Sequence, residues 1–232
     1  MLLLAADTSG KNGSIALAQC SPDGNCEALE VVPLSGGMFS AQLIPQIAEL
    51  LKRHNFSKHD LDGFAVASGP GSFTGLRVGL AAIKALAEVL SKPIATVSLL
   101  EAVALSGNVE GKVLATLDAG RNEVYAGHYE VSNNESRALQ EQLLSREQLA
   151  EISRGIVVIT PDAKLVEVAR ANALEVRQIA YPRSDTIAHL GWKKILRGET
   201  VSPEALEANY IRRSDAEIFS KNPIQIPDKI GS

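Results

Sequence analysis

Apolar residues open the chain in short runs that stop at small or turn-forming residues. Residues 2–6 are all Leu or Ala and end at Asp7, Thr8, Ser9 and Gly10, the pattern of a buried strand. A turn at Lys11, Asn12 and Gly13 leads into a second strand over residues 14–19. Ser21, Pro22, Asp23 and Gly24 mark another turn, and residues 27–34 can form a third strand, so an antiparallel meander is predicted. The period then changes. Leu43, Ile44, Ile47, Leu50 and Leu51 recur at helical spacing and predict a helix over residues 41–54. Pro45 would fall in or near its first turn, where a missing N–H costs little. A short strand over 64–68 breaks at the glycine-rich stretch 69–75. A helix to Leu90, a strand over 94–97 and helical residues from Leu99 to about Ser106 follow.

The second half begins in the same way. Residues 113–117 form an apolar run that ends at Asp118, Ala119 and Gly120. Strands are predicted over 123–130, around 139–144, over 156–159 and near 176–179. Helices are predicted over 146–152, 163–170 and 186–196, the last with Ala188, Trp192 and Ile195 on one stripe. Asp7 and Asp118 stand 111 residues apart, close to half of the 232-residue chain. The order of elements therefore predicts an α/β fold made of two duplicated βββαβα lobes, residues 1–106 and 107–213. The polar stretch 214–232, with Pro223 and Pro227, is expected to be a flexible tail.

Composition narrows the function classes. The net charge is −4 and aromatics are 4% of residues, which argues against a broad nucleic-acid surface or a base-stacking platform. No apolar run approaches the roughly 20 residues that span a bilayer, and the first residues lack the pattern of a secretion signal. A soluble, cytoplasmic protein is expected. Cys20 and Cys26 are too few for a disulfide scaffold. They could face each other across a hairpin, but two idle thiols are the expectation. His54, His59, His128 and His189 show no helical metal-pair spacing, so no metal site is predicted.

Two sets of residues carry candidate chemistry. Asp7, Thr8 and Ser9, and Asp118 with Gly120, have the form of phosphate-binding hairpins, in which backbone amides approach phosphate oxygens. The alternative is an aspartate that caps its own turn. The stretch Gly69 to Gly75 fails as a P-loop, because no Gly-Lys-Ser/Thr ending supplies the lysine. The helix after it is apolar on several sides, with only Arg77, Lys84 and Glu88 on a narrow polar strip. Such a helix needs cover beyond its own lobe. Gly75 and Gly79, four apart, would suit the close approach of a partner helix, so a large residue at Gly79 is expected to weaken association and leave the monomer folded. Arg77 reads as a rim charge.

The segment Gly69, Pro70, Gly71, Ser72, Phe73, Thr74, Gly75, Leu76, Arg77 closely resembles the signature of the TsaB (YeaZ) family. Residues 6–9, 40–45, Asp118 with Ala119, 123–125 and 210–212 agree with that family in order. The resemblance implies the actin/sugar-kinase/Hsp70-like (ASKHA) fold. It also implies an accessory role in making N6-threonylcarbamoyladenosine at position 37 of tRNA. A member would have no catalytic residues of its own. It would dock on a TsaD-type transferase, join a TsaE-type ATPase subunit, form a homodimer when alone, and meet tRNA only within the complex. It would hold no cofactor of its own, with ATP or ADP bound at the level of the complex. The partner interface is then expected at Gly71, Phe73, Thr74, Gly75, Arg77, Val78, Gly79 and Ala82. Two departures stand out: Phe39 where the family usually has His, and Gly120 where it often has Arg. The rival reading is a nucleotide-hydrolysing or metallopeptidase-like enzyme of the same fold.

Overall fold

A computed structural model describes residues 1–211. The expected tail over 214–232, and Arg212 of the family pattern, lie outside the described residues. The first half holds β1 (Leu2–Asp7), β2 (Asn12–Cys20), β3 (Cys26–Ser35), α1 (Phe39–Arg53), β4 (Gly63–Gly69), α2 (Phe73–Leu90), β5 (Ile94–Ser98) and α3 (Leu99–Ser106). The second half holds β6 (Gly111–Gly120), β7 (Glu123–Ser132), β8 (Glu135–Ser145), α4 (Arg146–Ile152), β9 (Val157–Thr160), α5 (Ala163–Ala171), β10 (Val176–Gln178) and α6 (Ser184–Leu196). The sheets run β3-β2-β1-β4-β5 and β10-β9-β6-β7-β8. Counted from each half's first strand, the two orders are the same, so the duplication extends through a longer unit than expected, βββαβαβα.

Strand alternation builds the layers. Leu2, Leu4 and Ala6 of β1 face outward to α1 and α2, where Leu43, Leu50, Leu76 and Ile83 complete an outer core. Leu3 and Ala5 face the other way, into a central core shared by both sheets, α3 and α6. A smaller cluster around Leu114, Val124, Leu149 and Leu165 lies under α4 and α5. The closing helices cross the sequence midpoint. α6 covers the inner face of the first sheet, and α3 packs on β6, β7 and β8. Small residues allow this: a Cβ on Gly191 of α6 would lie 2.3 Å from Ala65 Cβ. Polar ties fix the crossing. The Ser184 amide donates to Ser14 Oγ at 2.9 Å, Trp192 Nε1 donates to Ser21 O at 2.8 Å, and Lys194 Nζ on α6 meets Glu101 Oε2 on α3 at 2.7 Å.

Several local expectations change. α1 begins at Phe39, so Pro45 sits in its second turn rather than its first. Ala41 and Pro45 are both exposed, and water can serve the carbonyl that the missing N–H leaves. β8 runs from Glu135, well before the expected start, as a polar edge strand paired along β7. Cys20 and Cys26 are direct partners across β2 and β3 and are joined in a disulfide, not two idle thiols. After α6 the chain turns back over the first lobe. Val201 bridges Ile94, Leu206 enters the outer core, and the Asn209 amide donates to Ser68 O at 2.7 Å.

Candidate functional site

The β1–β2 and β6–β7 turns face each other across a cleft of ≈ 1590 Å³ between the lobes, closed on one side by the start of α2 and on another by Tyr181. The first turn is built inward. Asp7 is buried, and its Oδ1 accepts from the Ser9 amide at 2.8 Å and from Ser9 Oγ at 2.6 Å. Burial pushes its carboxyl above the ordinary range, and the two Ser9 bonds only partly offset this. Thr8 Oγ1 donates to Gly75 O at 2.7 Å, and Ser9 O accepts from the Ser72 amide at 2.7 Å.

The second turn follows the same logic. Asp118 Oδ1 accepts from the Gly120 amide at 3.1 Å and lies 3.7 Å from Arg146 Nη2. The Asp118 amide donates to Asp162 Oδ2 at 2.7 Å. Asp162 is pushed up by burial, against the pull of that amide. The Tyr181 phenol is pushed up by burial and then by the charges of Asp7 and Asp162. In both turns, then, an aspartate accepts from an amide of its own turn, and the space is lined by Asp7, Asp118 and Asp162 together with Lys11, Arg121, Lys164 and Arg183. Asp162 and Tyr181 carried no motif; only the meeting of loops from both lobes brings them to the cleft.

The glycines of the signature explain how the first turn reaches α2. A Cβ would lie 2.4 Å from Ser9 O at Gly71, 2.1 Å from Thr8 O at Gly75 and 2.3 Å from Thr8 Oγ1 at Gly79. Gly75 and Gly79 are buried. The glycine face of α2 is used inside the lobe, where the β1–β2 turn needs the room. Ser72 caps the helix by accepting from the Gly75 amide at 3.3 Å.

The other side of α2 is open. Phe73, Thr74 and Arg77 are exposed, and Val78 and Ala82 are half-buried. Ala81, Ala85 and Val89 continue an uncharged exposed stripe, with Val89 75% exposed. α1, which packs on α2, exposes Ala41, Ile44, Pro45 and Ala48. Phe39 is buried near the Gly13 and Gly75 positions, so it serves packing. At the N-terminal end of α2 the Arg77 guanidinium carbon lies 3.8 Å over the Phe73 ring, and Tyr210 stands against Phe73 with centroids 5.2 Å apart.

Among the described residues no group of three His, Cys, Asp or Glu side chains could hold a metal ion. His54 pairs with Glu30 at 2.9 Å, beside Arg53. Burial pulls His128 and His189 below the ordinary imidazole range. No described helix is long and apolar enough to cross a membrane.

Residues 34–191 match the family model for TsaD, tRNA N6-adenosine threonylcarbamoyltransferase. The tRNA threonylcarbamoyladenosine biosynthesis protein TsaB of Bacillus subtilis is 30% identical over 233 residues, covering 94% of this chain and 96% of the relative. A crystal structure from Pseudomonas aeruginosa, described as similar to the peptidase YeaZ, is 26% identical, with a TM-score of 0.74 over 91% of this chain and 99% of that one. A Listeria monocytogenes protein described as an N-acetylmannosamine kinase shares the fold alone, at 12% identity, with a TM-score of 0.52 over 86% of this chain and all of that one.

Proposed function

The chain belongs to the TsaB (YeaZ) family of tRNA threonylcarbamoyladenosine biosynthesis proteins, and from that premise we propose that it is a non-catalytic subunit that docks on the TsaD-type transferase. The observation that carries this reading is the open side of α2. Val78, Ala81, Ala85 and Val89 of α2, and Ala41, Ile44 and Ala48 of α1, which packs on α2, leave uncharged surface open to solvent. Two adjacent uncharged helix stripes form the kind of core that a protein interface buries. The transferase family model matches the segment that contains both helices, so the partner brings comparable ones. Alone, the protein uses this face to form a homodimer.

The cleft supports the non-catalytic half of the reading. Its turns spend amides on Asp7 and Asp118, so it serves as a structural junction. ATP or ADP is bound at the level of the complex, which a TsaE-type ATPase subunit completes in the cytoplasm, and tRNA is met through the assembly.

Two measurements test this. Purified protein given threonine, bicarbonate, ATP and tRNA should leave the tRNA unmodified; turnover abolished by one substitution in this chain would establish an enzyme instead. Light scattering after size exclusion should show a dimer alone and a heteromeric species with the transferase. Failure to form the latter rejects the docking role.

A further inference from the structure

We infer that Phe73 and Tyr210 hold the Arg77 guanidinium as a preformed anchor for a carboxylate on the transferase; this rests on the docking reading above. Phe73 and Arg77 stand four apart on α2, one above the other. The guanidinium carbon lies 3.8 Å from the Phe73 ring centre, and Nε donates to the Tyr210 hydroxyl at 3.3 Å. One face of the guanidinium and its Nε are thereby engaged, while its two terminal nitrogens have no hydrogen-bond partner among the described residues. Arg53, Arg137 and Arg183 each meet a carboxylate of this chain. Arg77 meets none among the described residues, and is held instead by the Phe73 ring and the Tyr210 hydroxyl.

Tyr210 is placed from elsewhere in the fold. It arrives on the segment that returns from α6, and the preceding residue fixes it. The Asn209 amide donates to Ser68 O at 2.7 Å, and Asn209 Nδ2 donates to Glu141 Oε2 of β8 at 2.7 Å. The Tyr129 hydroxyl and Ser98 Oγ both donate to the other oxygen of Glu141. The second lobe therefore orders an arginine at the edge of the first lobe's docking face. Fixing that side chain before binding removes an entropy cost from association, and a stacked, planar fork favours a bidentate carboxylate partner. The neighbouring surface decides the partner's class. Along α2 the exposed Ala81, Ala85 and Val89 are uncharged, and the helix's charged residues besides Arg77 are one cation, Lys84, and one anion, Glu88. A strand of RNA would need a row of cations, whereas an isolated arginine at the border of an apolar stripe suits a protein.

Binding kinetics of the full chain to purified transferase test the inference. Arg77→Ala should weaken binding by roughly tenfold or more, mainly through faster dissociation. Arg77→Lys should not rescue it, because an ammonium lacks the fork and the stacking plane. Tyr210→Ala should lose most of what Arg77→Ala loses, and Tyr210→Phe, which keeps the ring, should lose little. All these side chains are exposed, so melting temperatures should hold; if Arg77→Ala lowers it, Arg77→Gln keeps the polar stem and serves in its place. Wild-type protein that fails to bind the transferase overturns the docking reading and the inference with it. Wild-type binding with Arg77→Ala and Tyr210→Ala unaffected overturns the inference alone. A loss confined to tRNA binding by the assembled complex also overturns it, and assigns Arg77 to a phosphate.

Discussion

Replacing Gly79 by alanine adds one methyl group to a helix, where alanine normally gains about 1 kcal/mol over glycine. Here the new Cβ would lie 2.3 Å from Thr8 Oγ1, a buried hydroxyl that donates to Gly75 O at 2.7 Å. Thr8 is 3% exposed and sits at the end of a central strand, so neither partner has free space to retreat into. Overpacking of this kind costs about 1–3 kcal/mol, and displacing the hydroxyl forfeits a hydrogen bond of about 0.5–1.5 kcal/mol. Against the helix gain, the net expectation is a loss of about 2 kcal/mol, or about 4–8 °C in melting temperature for a chain of this size. Thr8→Ala removes the obstructing oxygen. The nearest remaining Thr8 atom is Cβ at 3.5 Å, ordinary contact distance. In that background Gly79→Ala should recover its helix gain of about 1 kcal/mol, so a double-mutant cycle should return a coupling of about 3 kcal/mol. Thermal and urea unfolding of the four proteins supply the numbers. Equal stability of Gly79→Ala and wild type, or the same loss with and without the Thr8 hydroxyl, would refute the placement of this glycine against the β1–β2 turn.

Further outcomes follow from other parts of the molecule. Val78→Glu, or Ala85→Glu, should weaken association with itself and with the transferase by roughly tenfold or more, since it puts an unpaired charge into the buried face; calorimetry on the folded variants measures it, and unchanged affinity would move the interface off α2. Lys194→Met should cost about 3 kcal/mol by stranding the partly buried Glu101, and the pair Lys194→Met with Glu101→Leu should recover most of that. Asp7→Asn should be more stable than wild type at neutral pH. Burial raises the native carboxyl above its ordinary 3.8, so the cost of burying the charge is present above that value and disappears as pH falls through the native pKa toward 3.8; a stability difference that grows on acidification would contradict this. Elemental analysis of protein purified without a metal-binding tag should find no stoichiometric zinc or iron, and one bound equivalent would reveal a site built from dispersed residues.

The element pattern, the duplication and the family were legible in the sequence because they rest on local signals. The apolar runs over residues 2–6 and 113–117, helical spacing around Leu43 and Ile83, and the Gly69 to Arg77 segment each lie within one stretch of chain. The self-capped turns at Asp7 and Asp118 were foreseeable as an alternative for the same reason, since the aspartate and its donors are two residues apart. β8 extends beyond its sequence signal because an exposed edge strand needs no apolar face to hold it. Three features depended on contacts between distant parts of the chain. The glycines of α2 have the spacing of a helix contact, and only the fold brings the β1–β2 turn, more than 60 residues earlier, against that face. The exchange of α3 and α6 between sheets left no trace in either helix's own pattern, because an apolar stripe specifies that a face is buried, not which sheet buries it. The pattern of α2 makes Arg77 a rim charge because its position on the helix is local, while Tyr210, which contacts it, stands 133 residues further along the chain and is brought there by the fold.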